Sequence, residues 1–132
     1  MRYMLDTNIC SYVLRSRPPS VKERFDEAGD GALVVSTVVL AELLYGAARH
    51  PQAGAIRREI ADLVSRLAVL PWDEAAARDY GALRATLEKA GTPLGAMDMM
   101  IAAHARSAGL TLVSNDVRHF DRVEGLRVAN WV

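Results

Sequence analysis

The sequence predicts an α/β protein in which one mostly parallel sheet of about five strands lies between two layers of helices. Short runs that are apolar throughout alternate with longer segments of helical periodicity. Strands without a polar face are typical of parallel sheets that helices cover on both sides. Because 132 residues is a common size for one domain, we expect a single three-layer α/β/α domain over residues 1–132.

Each element is predicted from its local pattern. Strands are short apolar runs, whereas helices carry apolar residues three and four positions apart and are bounded by polar caps, glycine or proline. Strands are expected at 3–5, 32–35, 69–70, 110–113 and 126–128, with a turn at 29–31. Helices are expected at 9–14, 20–28, 37–49, 52–66 and 73–90, and a last one ends near 108 after an opening turn at 92–93.

Composition limits the kinds of partner and compartment. Lys plus Arg and Asp plus Glu both number 16, so net charge neither supports nor excludes a nucleic-acid partner. Cys10 is the sole cysteine, which excludes a disulfide framework and a thiolate metal site. The first residues do not form a signal peptide, and no apolar run approaches the roughly 20 residues that span a bilayer. We therefore expect a cytoplasmic protein without a membrane segment.

Polar residues follow three of the predicted strands at the point where each strand ends. Asp6 ends the first strand, residues 36–37 follow the second, and residues 114–116 follow the fourth. Ligands of open α/β sheets bind outside the carboxyl ends of the strands. The sequence therefore predicts a site at this edge of the sheet.

Two acids lie in helical segments that are otherwise apolar. Glu42 and Asp98 have only apolar residues, tyrosine or glycine three and four positions away. A carboxylate without a partner on a core-facing helix is costly unless a cation or hydrogen-bond donors satisfy it. Structural interpretations remain open: Asp6 or Asp98 as a helix N-cap, Glu42 reaching solvent at a helix edge, and Asp116 in an Asx turn.

Four acids together predict a metal site, because the topology brings them to one end of one sheet, where four carboxylates cannot all stay ionised without cations. They are Asp6, Glu42, Asp98 and Asp116. Ligand sets made of oxygen alone favour Mg²⁺ or Mn²⁺. An ion of this kind activates water beside a phosphodiester, so these ligands indicate metal-assisted phosphodiester hydrolysis.

Four blocks of sequence, spread over essentially the whole chain, resemble PIN-domain nucleases. They are residues 4–8 (Met-Leu-Asp-Thr-Asn), 36–42, 98–105 and 112–120. The resemblance extends to the VapC toxins of bacterial toxin–antitoxin pairs and includes residues 125–131. No single block is specific, so the resemblance depends on all four in this order and at these intervals.

The resemblance implies a Mg²⁺-dependent endoribonuclease that cuts single-stranded or looped RNA, often transfer RNA. Asp6 and Asp98 are implied as the principal metal ligands. Glu42 would complete the acidic cluster, and Asp116 would bind a metal directly or through water. A homodimer is implied, as is a cognate VapB-like antitoxin that wraps the domain and blocks the cleft.

Residues beside the acids are given supporting or structural roles. Thr7 or Asn115 would orient the acids by hydrogen bonding. Many relatives carry an acid just before the phenylalanine of the last block, where this chain has His119, so the number of metal ions is left open. His119 could touch phosphate, but a surface or packing role is expected for it. His50 and His104 are interpreted as helix-end and helix-face residues.

Basic and aromatic residues carry no firm assignment. Some arginines could hold phosphate at the rim of the cleft, although solvated surface charge is the simpler interpretation; they are Arg15, Arg17, Arg118 and Arg122. Aromatic residues are interpreted as core or dimer contacts before a base-stacking platform; they are Tyr12, Phe25, Tyr45 and Trp72.

Two other classes of α/β protein fit less well. A dinucleotide-binding domain would need glycines after the first strand, and residues 6–11 contain none. A phosphoacceptor signalling domain would be expected to have a lysine near the site, yet Lys22 and Lys89 do not follow strands. Two alternatives stay open: a PIN-like module that binds RNA or a partner without cutting, and a nuclease that acts on DNA.

Overall fold

The computed structural model describes residues 2–29 and 31–132, so the predicted turn at 29–31 includes one residue that lies outside the described part. Its strands are β1 (Tyr3–Leu5), β2 (Leu33–Ser36), β3 (Ala68–Leu70), β4 (Thr111–Val113) and β5 (Val128–Ala129). They form one sheet in the order β3-β2-β1-β4-β5, in which every neighbouring pair is parallel. The predicted α/β class with a five-stranded parallel sheet is confirmed.

The three central strands are the most deeply buried part of the sheet. Every residue of β2 and β4 is buried, as are Met4 and Leu5 of β1, whereas β3 and β5 at the edges are only partly covered. The strand predicted at 126–128 begins two residues later than expected. The backbone N–H of Leu126 instead donates to the Val123 carbonyl and closes a turn. The chain pairs with β4 only after this turn.

The described residues also form seven helices. They are α1 (Thr7–Arg15), α2 (Pro19–Ala28), α3 (Thr37–Ala48), α4 (Ala53–Ser65), α5 (Glu74–Lys89), α6 (Ala96–Ser107) and α7 (Val117–Phe120). The first six correspond to the predicted helices, whereas α7, with four residues, is too short to show a helical period. None of the helices in the described residues is long and apolar enough to cross a membrane.

Several helices are bounded by polar residues or by glycine. Ser36 caps α3 by accepting a hydrogen bond from a backbone N–H, and Asp73 caps α5 in the same way. Gly109 follows α6 with a φ of 68°, a left-handed conformation that favours glycine after a helix. These local signals explain why the helix boundaries follow the sequence pattern closely.

The order of the strands creates a switch point between β1 and β4. The chain runs from β1 through β2 to β3 on one side, and then crosses to β4 and β5 on the other side of β1. Because crossovers between parallel strands are right-handed, this reversal places α1 to α4 on one face and α5 and α6 on the other. Ligands of such sheets bind at the carboxyl ends of the strands where the direction reverses, so the ends of β1 and β4 define the expected site.

Candidate active site

Asp6 lies at the switch point, between the end of β1 and the start of α1. Its Oδ1 accepts a hydrogen bond of 2.9 Å from the Ile9 N–H, so Asp6 is the N-cap of α1. The residue is only 7% exposed. Burial raises the pKa of Asp6 and the charges of Asp98 and Asp116 raise it further, against hydrogen bonds from Ser114 and Ile9 that lower it. The capping role therefore coexists with a buried carboxylate that two other acids influence.

Ser114 connects Asp6 to the loop that carries Asp116. Its hydroxyl is fully buried, donates to the Asp6 carboxylate and accepts a hydrogen bond of 3.0 Å from the Asp116 N–H. Asp116 is exposed, and within the described structure its side chain makes no capping bond at the start of α7. Ser114 was not among the predicted supporting residues, although a serine directly after a buried strand at this edge was the available signal.

Asp98 lies in the first turn of α6. The interpretation of Asp98 as an N-cap is wrong, because α6 begins at Ala96 and Gly95 is its N-cap. Asp98 Oδ2 lies 2.9 Å from His119 Nε2, and the carboxylate side chain is 45% exposed.

His119 has a closer relation to the site than the sequence predicted. Its ring meets Phe120 edge-on, with centroids 5.2 Å apart, which agrees with the expected packing role. The same ring donates to Asp98, a residue proposed as a metal ligand. An assignment of His119 to packing alone is therefore incomplete, and no signal in one sequence relates residues 98 and 119.

Glu42 approaches the site through Thr7. The half-buried Glu42 on α3 accepts a hydrogen bond of 2.6 Å from Thr7 Oγ1, and Thr7 follows Asp6 at the start of α1. Glu42 is therefore turned toward the switch point and does not simply extend into solvent. Asn115, the other predicted supporting residue, donates instead to the Tyr12 hydroxyl at 3.1 Å.

A buried hydrogen bond ties together the two helices that carry Glu42 and Asp98. The Ser36 hydroxyl, which caps α3, lies 2.8 Å from His104 Nδ1 on α6. Burial lowers the pKa of His104, against an opposing effect of Asp73, so burial favours the neutral ring in this hydrogen bond. His104 thus has the structural role that was expected of it.

The four acids surround the switch point without forming a closed metal cage. Within residues 2–29 and 31–132, no three His, Cys, Asp or Glu side chains are already arranged to hold an ion. In the same ranges none of the four acids pairs with Lys or Arg. An oxygen-only set around the buried Asp6 fits Mg²⁺ or Mn²⁺, because Mg²⁺ binds one or two carboxylates and keeps several waters. The oxygen donors fit such an ion, but the acids are less closely grouped than the sequence predicted.

Comparisons with known proteins identify the family. The PIN-domain model matches residues 3–126. The tRNA(fMet)-specific endonuclease VapC of Shigella flexneri is 45% identical over 131 residues, which cover 99% of this chain and 98% of the relative. Ribonuclease VapC2 of Haemophilus influenzae is 44% identical over 132 residues, 100% of this chain and 99% of the relative. The crystal structure of DNA-bound VapBC from Salmonella typhimurium aligns with a TM-score of 0.94 and 38% identity, over 100% of this chain and 99% of that chain.

The chain therefore belongs to the PIN-domain family, among the VapC ribonucleases. The family, the fold class and the enzyme class that the sequence predicted are confirmed.

Proposed function

We propose that this enzyme is the toxin of a toxin–antitoxin pair, a metal-dependent endoribonuclease that hydrolyses phosphodiester bonds in single-stranded or looped RNA in the cytoplasm. The observation that carries the proposal is the position of Asp6. It is buried at the switch point of a parallel sheet; this burial raises its pKa, and the charges of Asp98 and Asp116 add to the rise. A divalent cation is the natural partner for an ionised carboxylate in such surroundings.

Asp6 and Asp98 are the proposed principal ligands for Mg²⁺ or Mn²⁺, with Asp116 binding directly or through water and Glu42 completing the acidic set. PIN-domain ribonucleases are generally metal-dependent. When bound, such an ion activates water and polarises the phosphodiester.

The chain's own hydrogen bonds orient these carboxylates before any substrate arrives. The Ile9 N–H and the Ser114 hydroxyl hold Asp6, and the Thr7 hydroxyl directs Glu42. Preorganised ligands of this kind require little rearrangement during the reaction.

Transfer RNA is the proposed substrate class. The Shigella relative is named for cleavage of tRNA(fMet) and shares 45% of its residues over nearly the full length. DNA is the second candidate, because metal-assisted hydrolysis needs no 2′-hydroxyl on the substrate. An RNA oligonucleotide and a DNA oligonucleotide of the same sequence distinguish the two.

A VapB-like antitoxin and a second copy of this chain are the proposed protein partners. Solved relatives are VapBC complexes, and the VapBC family is one of toxin–antitoxin systems. The antitoxin would wrap the domain and block the cleft with its own side chains. Large apolar side chains on α3 are exposed, Leu44 by 41% and Tyr45 by 64%, which suits a contact between two copies.

The test is incubation of the purified protein with total RNA and Mg²⁺, beside samples that contain EDTA or the Asp98→Asn variant. We expect cleavage by the wild type, none in the two controls, and full cleavage by Asp62→Asn, which removes an exposed carboxylate on α4. Circular dichroism checks that Asp98→Asn remains folded. Cleavage that persists in EDTA and in Asp98→Asn would rule out this mechanism, and sequencing of the 5′ ends of fragments identifies the target.

A further inference from the structure

Three side chains form a contiguous array that starts beside the carboxylates and leads along α1. Asn115, which directly precedes Asp116, donates a hydrogen bond of 3.1 Å to the Tyr12 hydroxyl. The guanidinium carbon of Arg15 lies 5.3 Å from the centroid of the Tyr12 ring. We call these three residues the Arg15–Tyr12–Asn115 array. It bridges α1 to the loop after β4, which are the two segments that flank the switch point.

The array points toward the site because of helix geometry. Side chains on an α-helix tilt toward its N-terminus, and Asp6 is the N-cap of α1. Tyr12 is six residues beyond Asp6, roughly 9 Å along the helix axis at the usual rise per residue. The tilt shortens that separation, and the bond to Asn115 shows that the Tyr12 ring reaches the loop beside Asp116.

Within the described part of the chain, no carboxylate forms a salt bridge with the positive charge of Arg15. The residue is exposed. Glu59 lines the same surface cavity of about 500 Å³ without forming a salt bridge to it. Arg15 is nine residues beyond Asp6, roughly 13 Å along the helix axis. A site made of acids repels RNA, so a cation at that distance along the same surface compensates by attracting a neighbouring part of the phosphate backbone.

The contact with Tyr12 makes Arg15 a better phosphate ligand than a free surface arginine. A guanidinium over an aromatic ring keeps its N–H donors available at its edge, and their planar fork matches phosphate oxygens. The ring also restricts the side chain, so less conformational entropy is lost when phosphate binds. The sequence interpretation of Tyr12 as a core or dimer contact missed this relation, because residues 12 and 115 are far apart in the chain.

We propose that the Arg15–Tyr12–Asn115 array is a substrate-binding subsite, in which Arg15 binds a backbone phosphate of RNA on one side of the bond that is cut. Tyr12 is a positioning residue that holds the guanidinium. Asn115 is a positioning residue that fixes Tyr12 relative to Asp116. The inference rests on the proposed function, since it concerns the same RNA at the same site.

The test measures binding separately from cleavage. A fluorescein-labelled single-stranded RNA is titrated with protein in EDTA at several salt concentrations, and anisotropy gives Kd. Arg15→Gln is expected to raise Kd roughly fivefold and to reduce the salt slope by about one unit, as for the loss of one phosphate contact. Tyr12→Phe, which removes the bond to Asn115 and keeps the ring, is expected to raise Kd about twofold. Arg78→Gln, which removes an exposed arginine on α5, serves as the matched control and is expected to leave Kd unchanged.

Steady-state cleavage with Mg²⁺ provides a second readout. Arg15→Gln is expected to raise KM with little change in kcat, because the phosphate contact contributes to binding of substrate and transition state alike. An unchanged Kd and KM for Arg15→Gln would overturn the subsite while leaving the nuclease proposal intact. An equal rise in Kd for Arg78→Gln would also overturn the subsite, because the effect would then be one of nonspecific charge. Specific binding without metal-dependent cleavage would support the subsite and contradict the proposed function.

Discussion

His119 Nε2 lies 2.9 Å from Asp98 Oδ2, and this hydrogen bond links α7 to α6 across 21 positions of the chain. The two helices approach the switch point from different parts of the sheet, so the bond ties one acid of the site to the segment that follows another, Asp116. One of the two Asp98 oxygens is thereby committed to a protein partner. The direction of the carboxylate is set by His119 as well as by its own helix.

We predict that His119→Ala weakens Mn²⁺ binding about tenfold, because partners that orient a ligating carboxylate typically contribute 10–100-fold to affinity. His119→Gln, whose side-chain amide can donate to the same oxygen, should retain most of the Mn²⁺ affinity. The free-ion signal in electron paramagnetic resonance measures the affinity. His50→Ala, which alters an exposed histidine that accepts from the Gln52 N–H, should bind as the wild type does. Tighter binding by His119→Ala would mean that His119 competes with the ion.

We predict that Asp6→Asn stabilises the metal-free protein at pH 7 by about 0.5–2 kcal/mol, the usual gain from relieving an unfavourable interaction, and abolishes cleavage. The raised pKa means that the ionised form of Asp6 is disfavoured in the folded state. The amide oxygen of asparagine can still accept from the Ile9 N–H. Urea unfolding measures the change.

Asp26→Asn is the matched control for that stability change. Hydrogen bonds from Lys22 and Arg66 lower the pKa of Asp26, so loss of this exposed carboxylate should slightly destabilise the protein. If Asp6→Asn also lowered the free energy of unfolding, the hydrogen bonds of the Asp6 carboxylate would stabilise the fold by more than its burial destabilises it.

We predict that Asp6 in the metal-free protein titrates above the ordinary aspartate value of about 3.9. A folded-state pKa above the unfolded value means that stability increases as the pH falls through the folded pKa, and that this contribution is absent at neutral pH. Carboxyl ¹³C shifts followed by NMR give the midpoint. Asp98→Asn should lower the midpoint for Asp6, because one repelling charge is lost, whereas Asp62→Asn should leave that midpoint unchanged. A midpoint at or below the ordinary value in the wild type would contradict the prediction.

We predict that Ser114→Ala destabilises the protein by about 1–3 kcal/mol, the usual result of leaving buried polar groups without a partner. The change removes the hydroxyl that donates to Asp6 and accepts from the Asp116 N–H. Ser65→Ala removes an exposed hydroxyl that donates only to the Asp62 carbonyl, and should change the free energy of unfolding by less than about 0.5 kcal/mol. Equal effects in both variants, measured by urea unfolding, would be evidence against the bridging role.

The elements that the sequence predicted well are those that depend on neighbouring residues. Apolar runs indicated the buried strands, and the polar residues after the second strand indicated where α3 begins. The short elements β5 and α7 contain two and four residues, too few to show any period. Their positions follow from pairing with β4 and from the turn at Val123, which are tertiary features.

The site residues differ in the same way: some features follow from neighbouring residues in the sequence and others only from tertiary contacts. That Asp6 follows a buried strand can be read locally, and so can the apolar flanks of Glu42 and Asp98. Thr7 was expected to orient one of the acids, but local sequence does not show which one, because Thr7 and Glu42 are 35 positions apart. The contact between His119 and Asp98, across 21 positions, was not expected. Only the packing of the helices on the sheet decides which side chains meet.

The N-cap of α1 also affects which ion can bind at Asp6. Oδ1 accepts from the Ile9 N–H and the Ser114 hydroxyl also donates to the carboxylate, so part of its lone-pair capacity is already used when a cation binds. Calcium commonly draws on bidentate carboxylates in a wide and flexible shell, whereas magnesium demands a compact octahedron of single oxygens. A carboxylate that already accepts two hydrogen bonds is less available for bidentate binding, which favours the single-oxygen coordination of Mg²⁺ at this helix start.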